Sequence, residues 1–148
     1  MDLKETQNGP CGTQGISTQP SGFRSQVSKK DLFRQRTKQF ASRIIRLYCS
    51  LPKQRTECQV IGKQLLRSGT SVAANYREAS RARSNAEFIA KIELCTQEAD
   101  ESTLWLELLR DDCHIQAEEL NELLKEINEL ISIFVTMSKN VKCNNARK

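Results

Sequence analysis

The strongest constraint on the fold is a repeat of apolar residues at spacings of three and four, found in four separate stretches. It is clearest over residues 116–138, where its members are Leu120, Leu123, Leu124, Ile127, Leu130, Ile131 and Phe134. Residues at this spacing share one face of an α-helix, whereas a half-buried strand needs a period of two. Prolines occur only at positions 10, 20 and 52, so none interrupts the periodic stretches.

The other three stretches predict helices over residues 31–49, 56–81 and 84–110. Asp31 is the predicted cap of the first, and Ser84 with Glu87 forms a capping box at the start of the third. Trp105 and Leu108 widen the apolar face of the third helix beyond what one core contact needs, which favours a subunit interface there. Four amphipathic helices with short links predict an all-α, antiparallel up-down four-helix bundle over residues 29–140.

The two ends of the chain differ from this pattern. Residues 1–28 are rich in Gly, Ser, Thr and Gln and contain two of the prolines, a composition typical of a disordered tail. Residues 141–148 are polar and basic and are predicted to form a C-terminal tail. The chain shows no apolar leader and no run near the roughly 18 apolar residues of a membrane span, so we expect a cytoplasmic protein without a membrane partner.

The second helix carries many small residues, among them Gly69, Ala73 and Ala74. Glycine costs a helix about 1 kcal/mol relative to alanine, so Gly69 favours a close approach by a neighbouring helix. Asn75 lies at the edge of this small face. We interpret it as a buried hydrogen-bond clamp between helices, with a partly exposed polar residue as the alternative.

Catalytic and metal-site patterns are weak. The six cysteines are scattered without a CxxC pair, which predicts free thiols with Cys95 packed as an apolar residue. Cys113 and the single histidine, His114, lack a second pair that would complete a zinc site. Glu98 and Glu101 lack the Glu-x-x-His motif of bundle metal sites, so we interpret them as partners for arginines of the second helix. We therefore expect no metal, no cofactor and no enzymatic activity.

Charge is divided unequally along the chain. Residues 1–83 contain 16 Lys and Arg against 5 Asp and Glu, whereas residues 84–148 contain 7 against 13. On the second helix Lys63, Arg67, Arg77 and Arg81 fall within about 40° of one line and form a basic stripe roughly 27 Å long. On the first helix Lys38 and Arg46 lie opposite the apolar face. This layout predicts a track for nucleic-acid phosphates, and a solvated face or a protein-docking face remains an alternative.

Three segments resemble the four-helix-bundle proteins encoded in ribosomal RNA intervening sequences. The first is LLRSGTSVAANYREA, residues 65–79. The second combines Arg81–Ser84 with EFIAK at 87–91, and the third combines Glu98–Ser102 with WLELL at 105–109. The resemblance covers roughly residues 35–138 and leaves the N-terminal tail outside.

This resemblance implies a ring-shaped homo-oligomer, typically a pentamer. It also implies a relation to the accessory variability protein of diversity-generating retroelements, which works with a reverse transcriptase and nucleic acid. Arg83 joins the candidate nucleic-acid contacts on this basis, beside Arg67, Arg77 and Arg81. The expected function is therefore non-catalytic binding of RNA or RNA and DNA, and the alternative is a protein-interaction scaffold that docks on a reverse transcriptase.

Overall fold

The computed structural model describes residues 27–148, which form four α-helices and contain no strand within that range. The helices are α1, Lys29–Ser50; α2, Thr56–Ser80; α3, Asn85–Asp111; and α4, Glu118–Ala146. Each packs on its neighbour in sequence, and a thinner contact between α1 and α4 closes the bundle. The predicted antiparallel up-down bundle is confirmed. The predicted tail lies outside the described residues as far as position 26.

Local capping chemistry sets where the helices begin. Ser28 caps α1, since its hydroxyl oxygen accepts from the Asp31 amide at 3.2 Å. The prediction of Asp31 as the cap is therefore wrong by one turn, and its carboxylate instead accepts from the Ser28 hydroxyl at 2.7 Å. At α3 the predicted Ser84 cap is confirmed by a 3.1 Å bond from the Glu87 amide. The Glu87 carboxylate reaches back to the amide of Arg83, one residue earlier than the standard box.

The C-terminal end of α4 corrects a second prediction. Residues 141–146 continue the helix and do not form a tail. Lys142 pairs with Glu93 at 2.6 Å, and Asn145 accepts from the Asn85 side chain at 2.7 Å. Because α3 begins at Asn85 and runs antiparallel to α4, the last turns of α4 are needed to cover the first turns of α3.

The core is built from the predicted apolar faces. Fully buried large side chains come from all four helices: Phe40, Ile44, Leu65, Val72, Ile92, Leu106, Leu109, Leu120, Leu123, Ile127, Leu130 and Phe134. Tyr76 is 2% exposed and packs edge-on against Phe33 of α1 and stacked on Phe134 of α4. This anchor fixes the rotation of α2 about its axis, so the following residue, Arg77, is exposed on the surface.

Small residues let α2 approach its neighbours closely. A Cβ atom on Gly69 would lie 3.0 Å from Cγ1 of Ile44 on α1, which confirms the predicted packing reason for this glycine. On the other side, the hydroxyls of Ser68 and Ser102 lie 2.8 Å apart, fully buried between α2 and α3. Asn75 is only half-buried, so its interpretation as a buried clamp is wrong.

None of the helices between residues 27 and 148 is long and apolar enough to cross a membrane. The five cysteines in this range are free thiols, and Cys95 is fully buried as predicted. Cys11 lies outside the described residues.

Candidate nucleic-acid interface

The predicted stripe lies on the outer surface of α2, where Lys63, Arg67, Arg77 and Arg81 are all exposed. The opposite face of the helix is held inward by buried residues that recur along its length, among them Leu65, Val72, Tyr76 and Ala79. Because the helix cannot rotate without expelling these residues, the position of the cations on the outside is set by the core.

A groove between α1 and α2 brings cations of the two helices together. It encloses about 600 Å³ and is lined by Asp31, Arg34, Gln35, Lys38, Gln39, Ser42, Arg46 and Arg77. We call this the α1–α2 groove. Three of the seven predicted contacts, Lys38, Arg46 and Arg77, therefore share one concave surface.

Arg34 is a groove residue that the sequence reasoning missed. It lies one turn before Lys38 on α1, so the i, i+4 spacing from Arg34 through Lys38 and Ser42 to Arg46 carried the signal. Its guanidinium lies 3.5 Å from Asp31, the one carboxylate among residues 27–148 that lines the α1–α2 groove.

A second concavity of about 420 Å³ continues the basic surface around the α2–α3 turn. Arg77, Arg81, Arg83 and Lys91 line it together with Glu78 and Glu87. Lys91 pairs with Glu78, whereas Glu87 is engaged with the amide of Arg83. Arg77 borders both concavities, so the predicted contacts of α1 and those at the end of α2 form one continuous surface.

Arg67 differs from the other predicted contacts because it is paired. Its guanidinium bonds Glu101 and lies 3.4 Å from Glu98, both on α3. The hydrogen bond from Arg67 holds the pKa of Glu101 below its usual value, and a second bond from the Trp105 indole, at 3.1 Å, acts in the same direction. The interpretation of Glu98 and Glu101 as arginine partners is confirmed. Arg67 marks the edge of the basic surface toward the acidic half of the bundle.

The remaining six predicted contacts have no carboxylate within 4.0 Å in residues 27–148: Lys38, Arg46, Lys63, Arg77, Arg81 and Arg83. We call these six residues together with Arg34 the basic face. Lys63 belongs to it by position on α2 but lines neither concavity.

The arginines on the other side of α1 show the contrast. Arg36 bonds Glu126 of α4 at 2.6 and 2.9 Å, and Arg43 bonds Glu119 at 2.6 Å. These bonds raise the pKa of both guanidinium groups. Arginines on α1 thus differ by side. Those facing α4 pair with its carboxylates, whereas on the side facing α2 Arg46 has no carboxylate of residues 27–148 within 4.0 Å and Arg34 has only Asp31, at 3.5 Å.

The basic face offers positively charged hydrogen-bond donors. None of the aromatic residues between positions 27 and 148 lines either concavity, so this part of the chain offers no stacking platform for bases there. Among residues 27–148 no group of three His, Cys, Asp or Glu side chains is arranged to hold a metal ion. Cys113 is buried while its neighbour His114 is exposed, so this pair does not face a common site.

Comparison with known proteins places this fold and motif set in a family. Residues 29–136 match the 23S rRNA-intervening sequence protein family. The chain belongs to that family. A solved structure of a protein of unknown function from the S23 ribosomal protein family of Bacteroides thetaiotaomicron is similar, with 36% identity and a TM-score of 0.68. The similarity covers 76% of this chain and 99% of the other. No match was found among curated proteins.

Proposed function

We propose that this protein of the 23S rRNA-intervening sequence family binds the phosphate backbone of nucleic acid with its basic face and catalyses no reaction. The observation that carries the proposal is the gathering of Lys38, Arg46 and Arg77 around the α1–α2 groove with no carboxylate of residues 27–148 within 4.0 Å, while the arginines on the opposite side of α1 are paired. Like charges that share a concave surface repel one another, and a polyanion relieves that repulsion.

The dimensions of the groove suit a nucleic-acid strand. Arg34 and Arg46 are twelve residues apart on α1, a rise of about 18 Å. A duplex strand advances about 3.4 Å per nucleotide, so this length accommodates about five phosphates. Lys38 lies between the two arginines, and Arg77 approaches from α2. Each phosphate that is neutralised releases counterions, which supplies affinity without sequence readout.

The experiment compares two variants with the same change in charge. One replaces Lys38, Arg46 and Arg77 with glutamine, and the other replaces the exposed α4 lysines at 125, 139 and 142. Binding to a labelled duplex is measured by fluorescence anisotropy at one salt concentration, and circular dichroism confirms folding. We expect the basic-face variant to lose affinity by at least about tenfold and the α4 variant to bind like wild type. Equal losses would show that only net charge matters.

A second surface favours a role in protein association. Leu104 is 47% exposed and Leu94 39% exposed on α3, beside half-buried Trp105 and Leu108. We propose that this side of α3 contacts another copy of the chain in a homo-oligomer. Leu104→Lys should lower the mass of the assembly measured by sedimentation or light scattering, whereas an unchanged mass would exclude this surface as the oligomer contact.

The alternative function is a protein-interaction scaffold. If no nucleic acid binds the wild-type protein, a scaffold that docks a protein such as a reverse transcriptase on its basic face becomes the better hypothesis.

A further inference from the structure

The α1–α2 groove is also lined by uncharged polar side chains. Gln35 and Gln39 are exposed on α1, and Ser42 is half-buried one turn further along. Their side chains form no hydrogen bond with any residue from 27 to 148. By contrast, the Thr37 hydroxyl on the inner side of α1 is bonded to the Phe33 carbonyl at 2.9 Å.

The two glutamines form a row parallel to the row of cations. Gln35 follows Arg34 and Gln39 follows Lys38, so each amide lies about 100° around the helix from its cation. Both also border the shallow depression between α1 and α4, which places them on the outward crest of α1. A ligand that contacts Arg34 and Lys38 from outside the bundle therefore meets the two amides as well.

A phosphate oxygen only accepts hydrogen bonds, so it can take the N–H of a glutamine amide but leaves the amide carbonyl oxygen without a partner. A glutamine amide both donates and accepts, as does a ribose 2′-hydroxyl. In an A-form duplex the wide, shallow minor groove displays these hydroxyls between the two phosphate backbones.

We propose that the ligand of the α1–α2 groove is duplex RNA, with Gln35 and Gln39 hydrogen-bonded to 2′-hydroxyls and Arg34, Lys38 and Arg77 on the flanking phosphates. This inference rests on the proposed function and adds the choice of RNA over DNA. Among residues 27–148 no aromatic side chain lines the groove, which favours a duplex over a single strand because unpaired bases bind largely by stacking.

The test uses duplexes of one sequence as RNA, as DNA and as 2′-fluoro RNA, which keeps A-form geometry but lacks the hydroxyl, together with single-stranded RNA. Dissociation constants are measured at one salt concentration for wild type and for Gln35→Ala/Gln39→Ala. Gln64→Ala/Gln97→Ala removes two exposed glutamines on α2 and α3 as the matched control, and Lys38→Gln tests the phosphate contacts.

We expect wild type to bind duplex RNA about tenfold more tightly than DNA or 2′-fluoro RNA, as two neutral hydrogen bonds would give. The Gln35/Gln39 variant should lose this preference while its affinity for DNA stays unchanged, and Lys38→Gln should weaken RNA and DNA alike. A preference that survives the Gln35/Gln39 change, equal binding of RNA and DNA by wild type, or tighter binding of single strands would overturn the inference. Failure of every nucleic acid to bind would instead refute the proposed function.

Discussion

Replacing Gly69 with alanine tests how closely α1 and α2 are packed beneath the basic face. The new methyl carbon would lie 3.0 Å from Cγ1 and 3.2 Å from Cγ2 of Ile44, both closer than ordinary van der Waals contact. Ile44 is fully buried, and a β-branched side chain in a helix has essentially one χ1 rotamer, so it cannot move away easily. Overpacking of this kind costs about 1–3 kcal/mol.

Helix propensity acts in the opposite direction. Alanine is favoured over glycine inside a helix by about 1 kcal/mol, so the net expectation for Gly69→Ala is a loss of about 1 kcal/mol in the free energy of unfolding. Ala74→Gly, at an exposed position on the same helix, measures propensity alone and should also cost about 1 kcal/mol. Urea denaturation followed by circular dichroism gives both values, provided that the m-value is unchanged.

A double-mutant cycle separates the two contributions. Ile44→Ala removes both γ carbons and leaves only Cβ, 3.5 Å from the new methyl group and in ordinary contact. In that background Gly69→Ala should become stabilising, because only the propensity gain remains. If Gly69→Ala stabilises the otherwise wild-type protein by about 1 kcal/mol, the space beside Gly69 is open and the packing argument is refuted.

Three further predictions concern stability. From pH 9 to pH 12 the free energy of unfolding should fall, since burial raises the pKa of Cys95 and Tyr76 to about 12 and both lose protons sooner in the unfolded chain. When denaturation is repeated from pH 9 to pH 12, the free energy of unfolding should fall less steeply for Cys95→Ala than for wild type. An equal fall in the two proteins would contradict the assignment of this pH dependence to Cys95. Ser102→Ala should lower the free energy of unfolding by about 1 kcal/mol because Ser68 loses a buried partner, with the double alanine variant closer to wild type. Arg36→Met should cost about 1–2 kcal/mol in the same assay by opening the α1–α4 contact, and no change would mean that its bonds are dispensable.

The helices and their buried faces could be predicted from the sequence because buried residues recur with the period of the helix. Close packing at Gly69 could also be predicted, since glycine is unfavourable inside a helix and a close helix contact explains its presence there. The capping box at Ser84 followed from residue types and spacing alone. These features depend on residues close together in the chain, so local patterns contain the necessary information.

Features that depend on a second helix were harder to predict. Arg67 and Arg77 both belong to the predicted stripe, and Glu98 and Glu101 were predicted to pair with arginines of α2, but packing against α3 decides that Arg67 is the one within their reach. The end of α4 is polar, and the contacts of its last turns with Glu93 and Asn85 are defined by how far α3 extends.

The α1–α2 groove illustrates the same limit for the candidate site. The cations of α1 and α2 were identified separately, but their meeting in one groove depends on the rotation of each helix, which Tyr76 and its aromatic neighbours help to set. Arg34 was missed for this reason. It continues the i, i+4 row of Lys38 and Arg46, but only the groove beside α2 shows that this row shares a surface with Arg77.

The salt dependence of duplex binding by the wild-type protein tests the central claim most directly. Dissociation constants are measured from 50 to 200 mM salt, and the logarithm of the association constant is plotted against the logarithm of salt concentration. If four to six cations of the basic face contact phosphates, the slope should lie between about −3.5 and −5.5. A slope near zero, or no binding at 50 mM salt, would contradict the account and leave the basic face without a nucleic-acid role.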